Sequence, residues 1–280
     1  MSSLLYKLII TRPYSWISII LVGLLANVVV TKNFIININL ITDIFVAILS
    51  WFIAIFIVEF FHKKIDKREP ISPLLPILLI IILSFILLYR NAFTMLFLLI
   101  IIVTDLAYAS KVKKWFLSSF SFMLRGVLEV CIFLIILFSH SFYSINEVLP
   151  LILAIYFLTN SRNLIGDIRD VKFDKFTFPK KYGIKTSYVV SFILILFSII
   201  MINNLAVTTP LIIYLFILIF LRDAYLLHRI FVLTTTFFLM NHIMFLLRIN
   251  LIFTNILFIA VLLNFTYPLV PRKSNPKTYP

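Results

Sequence analysis

Residues 151–175 read LILAIYFLTNSRNLIGDIRDVKFDK, an apolar run that passes into a segment rich in charge. The apolar part belongs to a predicted membrane span over 146–161, and the charged part follows that span. Three aspartates and four basic residues fall within the stretch. It therefore predicts a membrane helix that ends in a site containing both acids and bases.

The composition of the whole chain agrees with a membrane protein. The 280 residues are 62% hydrophobic and 13% charged, with a mean hydropathy of +1.12, whereas soluble domains are roughly 45–50% apolar and about 25% charged. Because lipid offers no hydrogen bonds to the backbone, we expect an all-α polytopic bundle of nine or ten helices in one domain over 1–270, followed by a short polar tail over 271–280. The candidate spans are 14–31, 40–61, 72–89, 92–109, 115–138, 146–161, 186–203, 205–221, 230–247 and 250–269.

The net charge of +14 comes from lysines and arginines that lie between the apolar spans. They form no continuous basic face, so nucleic acid is not an expected partner. Most of them fall in alternate gaps, which predicts a multi-pass protein of the cell membrane with the N-terminus and both acidic segments described below in the cytoplasm. The single cysteine, Cys131, excludes a disulfide framework, and four glycines exclude a phosphate-binding glycine loop.

The stronger acidic segment contains Asp167, Asp170 and Asp174 at offsets of 0, 3 and 7. On a helix these offsets span about 60°, so the three carboxylates would share one face and need a cation. Oxygen ligands of this kind suit Mg²⁺, which commonly bridges carboxylates to substrate phosphates. Basic residues in the same connection, including Arg162 and Arg169, favour a diphosphate site. The alternative is a solvated cluster at a membrane-facing helix end.

A second segment repeats the spacing with Glu59, His62 and Asp66, in EFFHKKIDKREP. The matching triplets at the ends of two spans suggest two halves around one central cavity. His62 is a poor ligand for Mg²⁺ because nitrogen is a softer donor. Lys67 and Arg68 follow as candidate diphosphate ligands. An ordinary charged helix end is about equally consistent with this segment.

A third segment, TDLAYASKVKKW, contains Asp105 and Tyr108 on one helix face, followed by Lys111 and Lys113. The lysines are candidates for holding a departing phosphate as point charges. An equally good interpretation is a cationic membrane anchor with an interfacial tyrosine.

Arg125 and Glu129 lie four residues apart inside an apolar span, so we expect them to pair with each other and face the bundle. Such a pair is either a structural salt bridge or part of a functional site. Together with the paired acidic segments, it also raises a secondary transporter as an alternative. That alternative is weaker because transporters usually break their helices with glycine or proline at mid-membrane, whereas both triplets here lie at predicted helix ends and glycine is scarce.

The motifs resemble those of the UbiA-type intramembrane prenyltransferase superfamily, which carries NDxxDxxxD after its second helix and DxxxD after its sixth. Asp170 and Asp174 match DxxxD, and Asp167 matches an acid that often precedes it. The segment TFPKKYG resembles the family's TLPxxxG, ITRPYSW resembles its Arg-Pro start, and AYASKVKKW resembles its tyrosine-to-lysine motif. The resemblance runs in the expected order from residue 12 to about 185.

The first family motif is altered in this chain. Its Asn-Asp is replaced by Val58 and Glu59, its middle aspartate by His62, and Ser72 stands where the family's EPxRP has arginine. One carboxylate and one basic residue are therefore missing from the family's diphosphate site. This leaves open a family member that binds prenyl lipids without catalysis.

The resemblance implies a helical bundle around a central, lipid-accessible cavity. It also implies Mg²⁺-dependent transfer of a polyprenyl group from a polyprenyl diphosphate to a lipophilic acceptor. The acceptor would be an aromatic quinone precursor or a glycerophosphate lipid, and membrane lipids would surround the protein. The similarity of the EPISP segment to the family's EPxRP weakly favours the branch of the family that contains the lipid and chlorophyll enzymes. The implied metal ligands are Asp167, Asp170, Asp174, Glu59 and Asp66; the diphosphate ligands are Lys111, Lys113, Arg169, Arg162, Lys67 and Arg68; and the residues that orient or deprotonate the acceptor are Asp105 and Tyr108.

Overall fold

The computed structural model describes residues 12–66, 72–109, 118–140, 145–172, 176–248 and 251–269. These residues form eleven α-helices, joined in places by short 3₁₀ turns such as Tyr267–Leu269. Seven of the described helices are long and apolar enough to cross a membrane. In chain order the helices are α1 (Pro13–Thr31), α2 (Ile38–Asp66), α3 (Leu74–Arg90), α4 (Met95–Ala109), α5 (Ser121–His140), α6 (Ile145–Arg169), α7 (Phe178–Tyr182), α8 (Ile184–Ile202), α9 (Leu205–Phe220), α10 (Ala224–Leu247) and α11 (Leu251–Asn264).

Every predicted span corresponds to a helix, which confirms the all-α class, but three spans were predicted too short. Helix α2 continues past residue 61 to Asp66. Helix α6 continues past residue 161 to Arg169, and α10 begins at Ala224 instead of residue 230. The added turns are polar in sequence, yet Arg162, Asp167 and His228 on them are buried. Arg162 pairs with Glu129 and His228 bonds Tyr267 inside the bundle, so polarity there does not mark the end of a helix.

The longer α6 changes the expected geometry of the second acidic segment. Asp167 lies on the last turn of the helix, and Asp170 directly follows it, with its amide still donating to the Gly166 oxygen at 3.0 Å. Asp174 lies outside the described residues. The expectation of three carboxylates on one helix face therefore rests, in the described part, on Asp167 and Asp170.

Six helices form a closed circuit in which each contacts the next: α1, α2, α4, α5, α6 and α10, which returns to α1. Helix α1 also contacts α5 and α11, and 72% of it is buried within the protein, against 22% of α8. Helices α3, α8, α9 and α11 pack on the outside of this circuit, which we call the helix ring. The exposed apolar side chains of these outer helices are suited to lipid.

The two ends of α2 carry two different polar clusters. Near its start, Asp43 is fully buried and is bonded by Arg90, by His140 Nε2 at 2.7 Å and by Asn27 Nδ2 at 2.7 Å. These partners come from α3, α5 and α1, so one carboxylate joins four helices. Glu59 lies sixteen residues later, about 24 Å along the helix. The acidic segments are thus at the opposite end of the ring, which we call the motif end.

Helices α5 and α6 approach each other closely at Gly126. The Gly126 amide donates to Asn160 Oδ1 at 3.0 Å. A Cβ at this position would lie 2.3 Å from Asn160 Oδ1 and 2.9 Å from the Tyr156 carbonyl oxygen. A side chain larger than hydrogen therefore has no room unless the helices separate.

We expect Gly126→Ala to lower the midpoint of thermal unfolding in detergent, since overpacking costs about 1–3 kcal/mol. Gly166→Ala on α6 is the matched control, because its Cβ would meet only the His228 ring at an ordinary 3.4 Å. The control should leave the midpoint unchanged or raise it, as alanine favours a helix over glycine by about 1 kcal/mol. Equal midpoints for the two variants would contradict the close approach of α5 and α6.

Candidate functional site

The predicted site residues that the structure describes converge inside the helix ring at its motif end. Five of them come from four different helices and are nearly inaccessible, none more than 6% exposed: Glu59, Asp105, Arg125, Glu129 and Arg162. Charged side chains this deep in a membrane protein require partners of opposite charge. The structure supplies these partners between helices.

The predicted pairing of Arg125 with Glu129 is wrong. Arg162 of α6 forms an ion pair with Glu129 Oε1, and Thr159 donates to Glu129 Oε2 at 2.6 Å. Arg125 instead reaches back to α4, where its Nη1 lies 3.4 Å from Asp105 Oδ1. Two residues four apart on α5 thus face two different neighbouring helices, each with its own counter-charge.

Asp105 and Tyr108, the predicted catalytic residues, meet at the Arg125 guanidinium. The guanidinium carbon lies 5.0 Å from the centre of the Tyr108 ring and 5.3 Å from that of Trp51. Arg125 is therefore held between two aromatic rings and one carboxylate. The second oxygen of that carboxylate, Asp105 Oδ2, is buried and accepts no hydrogen bond among the described residues.

A polar cavity of about 30 Å³ lies beside these pairs. Its volume accommodates one or two water molecules. Residues of both ion pairs line it together with residues of α1 and α10, so the charged groups share one enclosed space. The lining residues include Arg12, Tyr14, Trp51, Arg125, Glu129, Thr159, Arg162, Asn163 and His228.

Arg12 connects the chain's Arg-Pro start to the first acidic segment. It precedes Pro13 at the start of α1 with a left-handed backbone, φ 55° and ψ 67°. Its Nη2 lies 3.7 Å from Glu59 Oε1. The sequence indicated only that Arg12 belongs to a motif; the structure places it against a predicted metal ligand.

Arg169 occupies the centre of a second network, at the end of α6. Its Nε and Nη2 donate to the two oxygens of Asp170, at 2.9 and 2.6 Å. Its Nη1 donates to the hydroxyl of Tyr267, which also bonds His228 Nδ1. A predicted diphosphate ligand and a predicted metal ligand are thus bound to each other and to the far end of the chain.

His228 and Tyr267 were not identified from the sequence. His228 fell in a predicted connection because α10 begins earlier than expected, and a longer helix there would have placed it on a buried face. Tyr267 lies 98 residues from Arg169, and no local pattern marks it.

The acidic residues suit Mg²⁺ by donor type, since carboxylate oxygens are its preferred protein ligands. Asp167 and Asp170 present such oxygens at the end of α6, and Glu59 does so on α2. Within the described residues, no three His, Cys, Asp or Glu side chains come close enough together to hold a metal ion. The side chains of His62 and Asp66, and the residues Lys67, Arg68, Lys111, Lys113 and Asp174, lie outside what the structure describes.

Comparison with solved structures relates this architecture to a known enzyme. The chain is similar to digeranylgeranylglyceryl phosphate synthase, with a TM-score of 0.66 over 89% of this chain and 100% of that chain. The chain has the UbiA fold. At 18% sequence identity this likeness concerns the fold alone, and it agrees with the resemblance expected from the motifs. No protein-family model and no curated protein sequence matches the chain.

A double-mutant cycle tests the ion pair between Glu129 and Arg162. We expect Glu129→Gln and Arg162→Met each to lower the thermal midpoint, because each leaves the other charge buried without its counter-charge. The double variant should recover part of the loss, with a coupling of about 1–3 kcal/mol.

The matched control is the same cycle for Glu129→Gln with Arg125→Met, measured in the same detergent. This pair should show a clearly smaller coupling, since Arg125 is paired with Asp105. A larger coupling for Arg125 than for Arg162 would restore the pairing within α5 that the sequence suggested.

Proposed function

We propose that this protein transfers a polyprenyl group from a polyprenyl diphosphate to a lipophilic acceptor within the membrane, with Mg²⁺. The observation that carries the proposal is the cluster of alternating arginines and carboxylates buried at the motif end of a UbiA-like ring. A purely structural bundle has no need for so many buried charges at one end, since each is costly to remove from water.

The diphosphate of the donor needs several cations, and arginine binds phosphate oxygens through two parallel hydrogen bonds. Arg162 and Arg169 are positioned for this role at the end of α6. The proposed ligands that complete the set are Lys67, Arg68, Lys111 and Lys113.

The carboxylates are proposed to hold Mg²⁺. Asp167, Asp170 and Asp174 would contribute from the second segment, and Glu59 and Asp66 from the first. When bound, the ion neutralises charge on the departing diphosphate. Both oxygens of Asp170 accept hydrogen bonds from Arg169, so at least one of these bonds must break before Asp170 becomes a ligand.

Loss of the diphosphate leaves an allylic cation that water would capture. The apolar side chains that line the helix ring exclude water from the reacting group. Asp105 is the proposed base that takes a proton from the molecule receiving the prenyl group, because its Oδ2 is buried without a hydrogen bond from a described residue. Tyr108, which shares the Arg125 guanidinium with Asp105, would orient that molecule.

A glycerophosphate lipid is the proposed acceptor, in preference to an aromatic quinone precursor. The solved structure with the similar fold is a synthase of a digeranylgeranylglyceryl phosphate. The arginines buried at the motif end also provide guanidinium donors of the kind that recognise the phosphate group of such an acceptor.

A second candidate function is binding of prenyl lipids without catalysis. It is favoured by His62 and Ser72, which replace an aspartate and an arginine of the family pattern. It is also favoured by the pairing of two proposed metal ligands with arginines, Glu59 with Arg12 and Asp170 with Arg169.

We expect purified protein in lipid nanodiscs to transfer label from radioactive geranylgeranyl diphosphate to a prenylated glycerophosphate when Mg²⁺ is present. Asp167→Asn should reduce this transfer by more than about 100-fold, since a carboxylate ligand of the ion is lost. The measurement is the rate of labelled lipid formation, with EDTA as a further arm.

Glu147→Gln is the control, because Glu147 is an exposed carboxylate at the opposite end of the same helix. Its rate should stay within about twofold of the native rate. If the native protein binds the donor but forms no labelled lipid with any acceptor, the non-catalytic function is favoured, and His62→Asp with Ser72→Arg is the variant to test for restored turnover.

A further inference from the structure

The network around Arg169 contains two residues without a role in the proposed chemistry. His228 is 8% exposed and Tyr267 is 2% exposed, and they come from α10 and from the 3₁₀ turn after α11. They meet the end of α6 beside Asp170. Two distant segments of the chain thus converge on one guanidinium at the proposed site.

The hydrogen bonds of this network have a definite direction. Arg169 donates from Nη1 to the Tyr267 oxygen, because a guanidinium has no acceptor. The phenol therefore keeps its own hydrogen for His228 Nδ1, its other partner. His228 Nδ1 also lies 3.5 Å from Arg169 Nη1, so it faces two donors and acts as the acceptor.

Tyr267 is itself fixed in position by other rings. Its ring centre lies 4.8 Å from that of Tyr14 and 5.0 Å from that of Tyr225. Its own motion is therefore restricted by α1 and by α10. The hydroxyl is a rigid acceptor, in contrast to the Asp170 carboxylate at the end of a helix.

The two sides of Arg169 are consequently unequal. On one side, Asp170 holds Nε and Nη2 through both of its oxygens, and its carboxylate is 19% exposed. On the other side, Tyr267 holds Nη1 from a buried, fixed position. Arg162 does not face such an exchange of partners, because its carboxylate partner Glu129 is not a proposed metal ligand.

We propose that Tyr267, oriented by His228, is a positioning residue that keeps Arg169 in the site as a diphosphate ligand when Asp170 turns away to ligate the metal. This inference rests on the proposed function. Release of Asp170 frees Nε and Nη2, which are adjacent donors matched to two oxygens of a diphosphate. The bond from Nη1 to Tyr267 holds the guanidinium in place for that exchange.

The test compares Tyr267→Phe with native protein in nanodiscs containing Mg²⁺. The probe is geranylgeranyl thiodiphosphate, an unreactive donor analogue, whose Kd is measured by equilibrium binding. We expect Kd for the analogue, and KM for geranylgeranyl diphosphate, to rise about tenfold. The kcat should change by less than about threefold, because the variant loses positioning of the donor and no reacting group.

Tyr214→Phe is the matched control. The Tyr214 hydroxyl is also buried and donates to α10, at the Leu227 oxygen at 3.2 Å, but it does not contact Arg169. This variant should lose thermal stability to a similar extent and keep the native Kd and KM. Native Kd and KM in Tyr267→Phe would overturn the inference.

If Tyr267→Phe fails to fold, two His228 variants test whether the hydrogen bond between His228 and Tyr267 supports donor binding. His228→Asn retains an acceptor close to the position of Nδ1, whereas His228→Ala removes it. The asparagine variant should bind the analogue close to the native level, and the alanine variant should weaken binding as Tyr267→Phe does. Equal binding by both variants would contradict the orienting role of His228.

The outcomes also separate this inference from the proposed function. Native protein that binds the analogue but forms no labelled lipid contradicts the transferase, while the Kd values of the variants still decide the role of Tyr267. Native protein that does not bind the analogue at all contradicts both.

Discussion

A charge inside this bundle is stable only if a different helix supplies its partner, and the arrangement of the ring depends on that constraint. Arg162 of α6 pairs with Glu129 of α5, Arg125 of α5 pairs with Asp105 of α4, and Asp43 joins α2 to three other helices at the opposite end. Apolar packing against lipid does not select one neighbour over another, since lipid tails are as apolar as the side chains. The ion pairs fix which helices are adjacent.

Under the proposed function, the same pairs prepare the motif end for chemistry. Holding arginines and carboxylates close together in a medium of low polarity makes each charge strong and keeps it oriented. A bound diphosphate and a divalent cation would exchange partners with this network instead of entering an empty apolar space. Asp170 and Tyr267 illustrate the division: the Asp170 carboxylate is partly exposed, whereas Tyr267 is buried among other rings.

The likeness to digeranylgeranylglyceryl phosphate synthase extends over 89% of the chain at 18% identity. Many apolar sequences satisfy the same helix positions, because a lipid-facing or core position specifies little beyond an apolar side chain of suitable size. The altered first acidic segment is a change of a different kind. His62 and Ser72 alter the charges available at the proposed site without altering the pattern of spans, which is why fold and activity have to be tested separately.

The sequence by itself determined the all-α membrane class, the order of the helices and the two acidic segments, because hydrophobic run length and the spacing of acids are local properties. It predicted that Arg125 and Glu129 are buried, but it paired them with each other, since spacing along one helix is the only geometry a sequence displays. The tertiary structure decided the partners. Glu129 pairs with Arg162, which lies 33 residues away in sequence, and Arg169 bonds Tyr267, which lies 98 residues away. Such contacts depend on which helix faces meet when the ring closes.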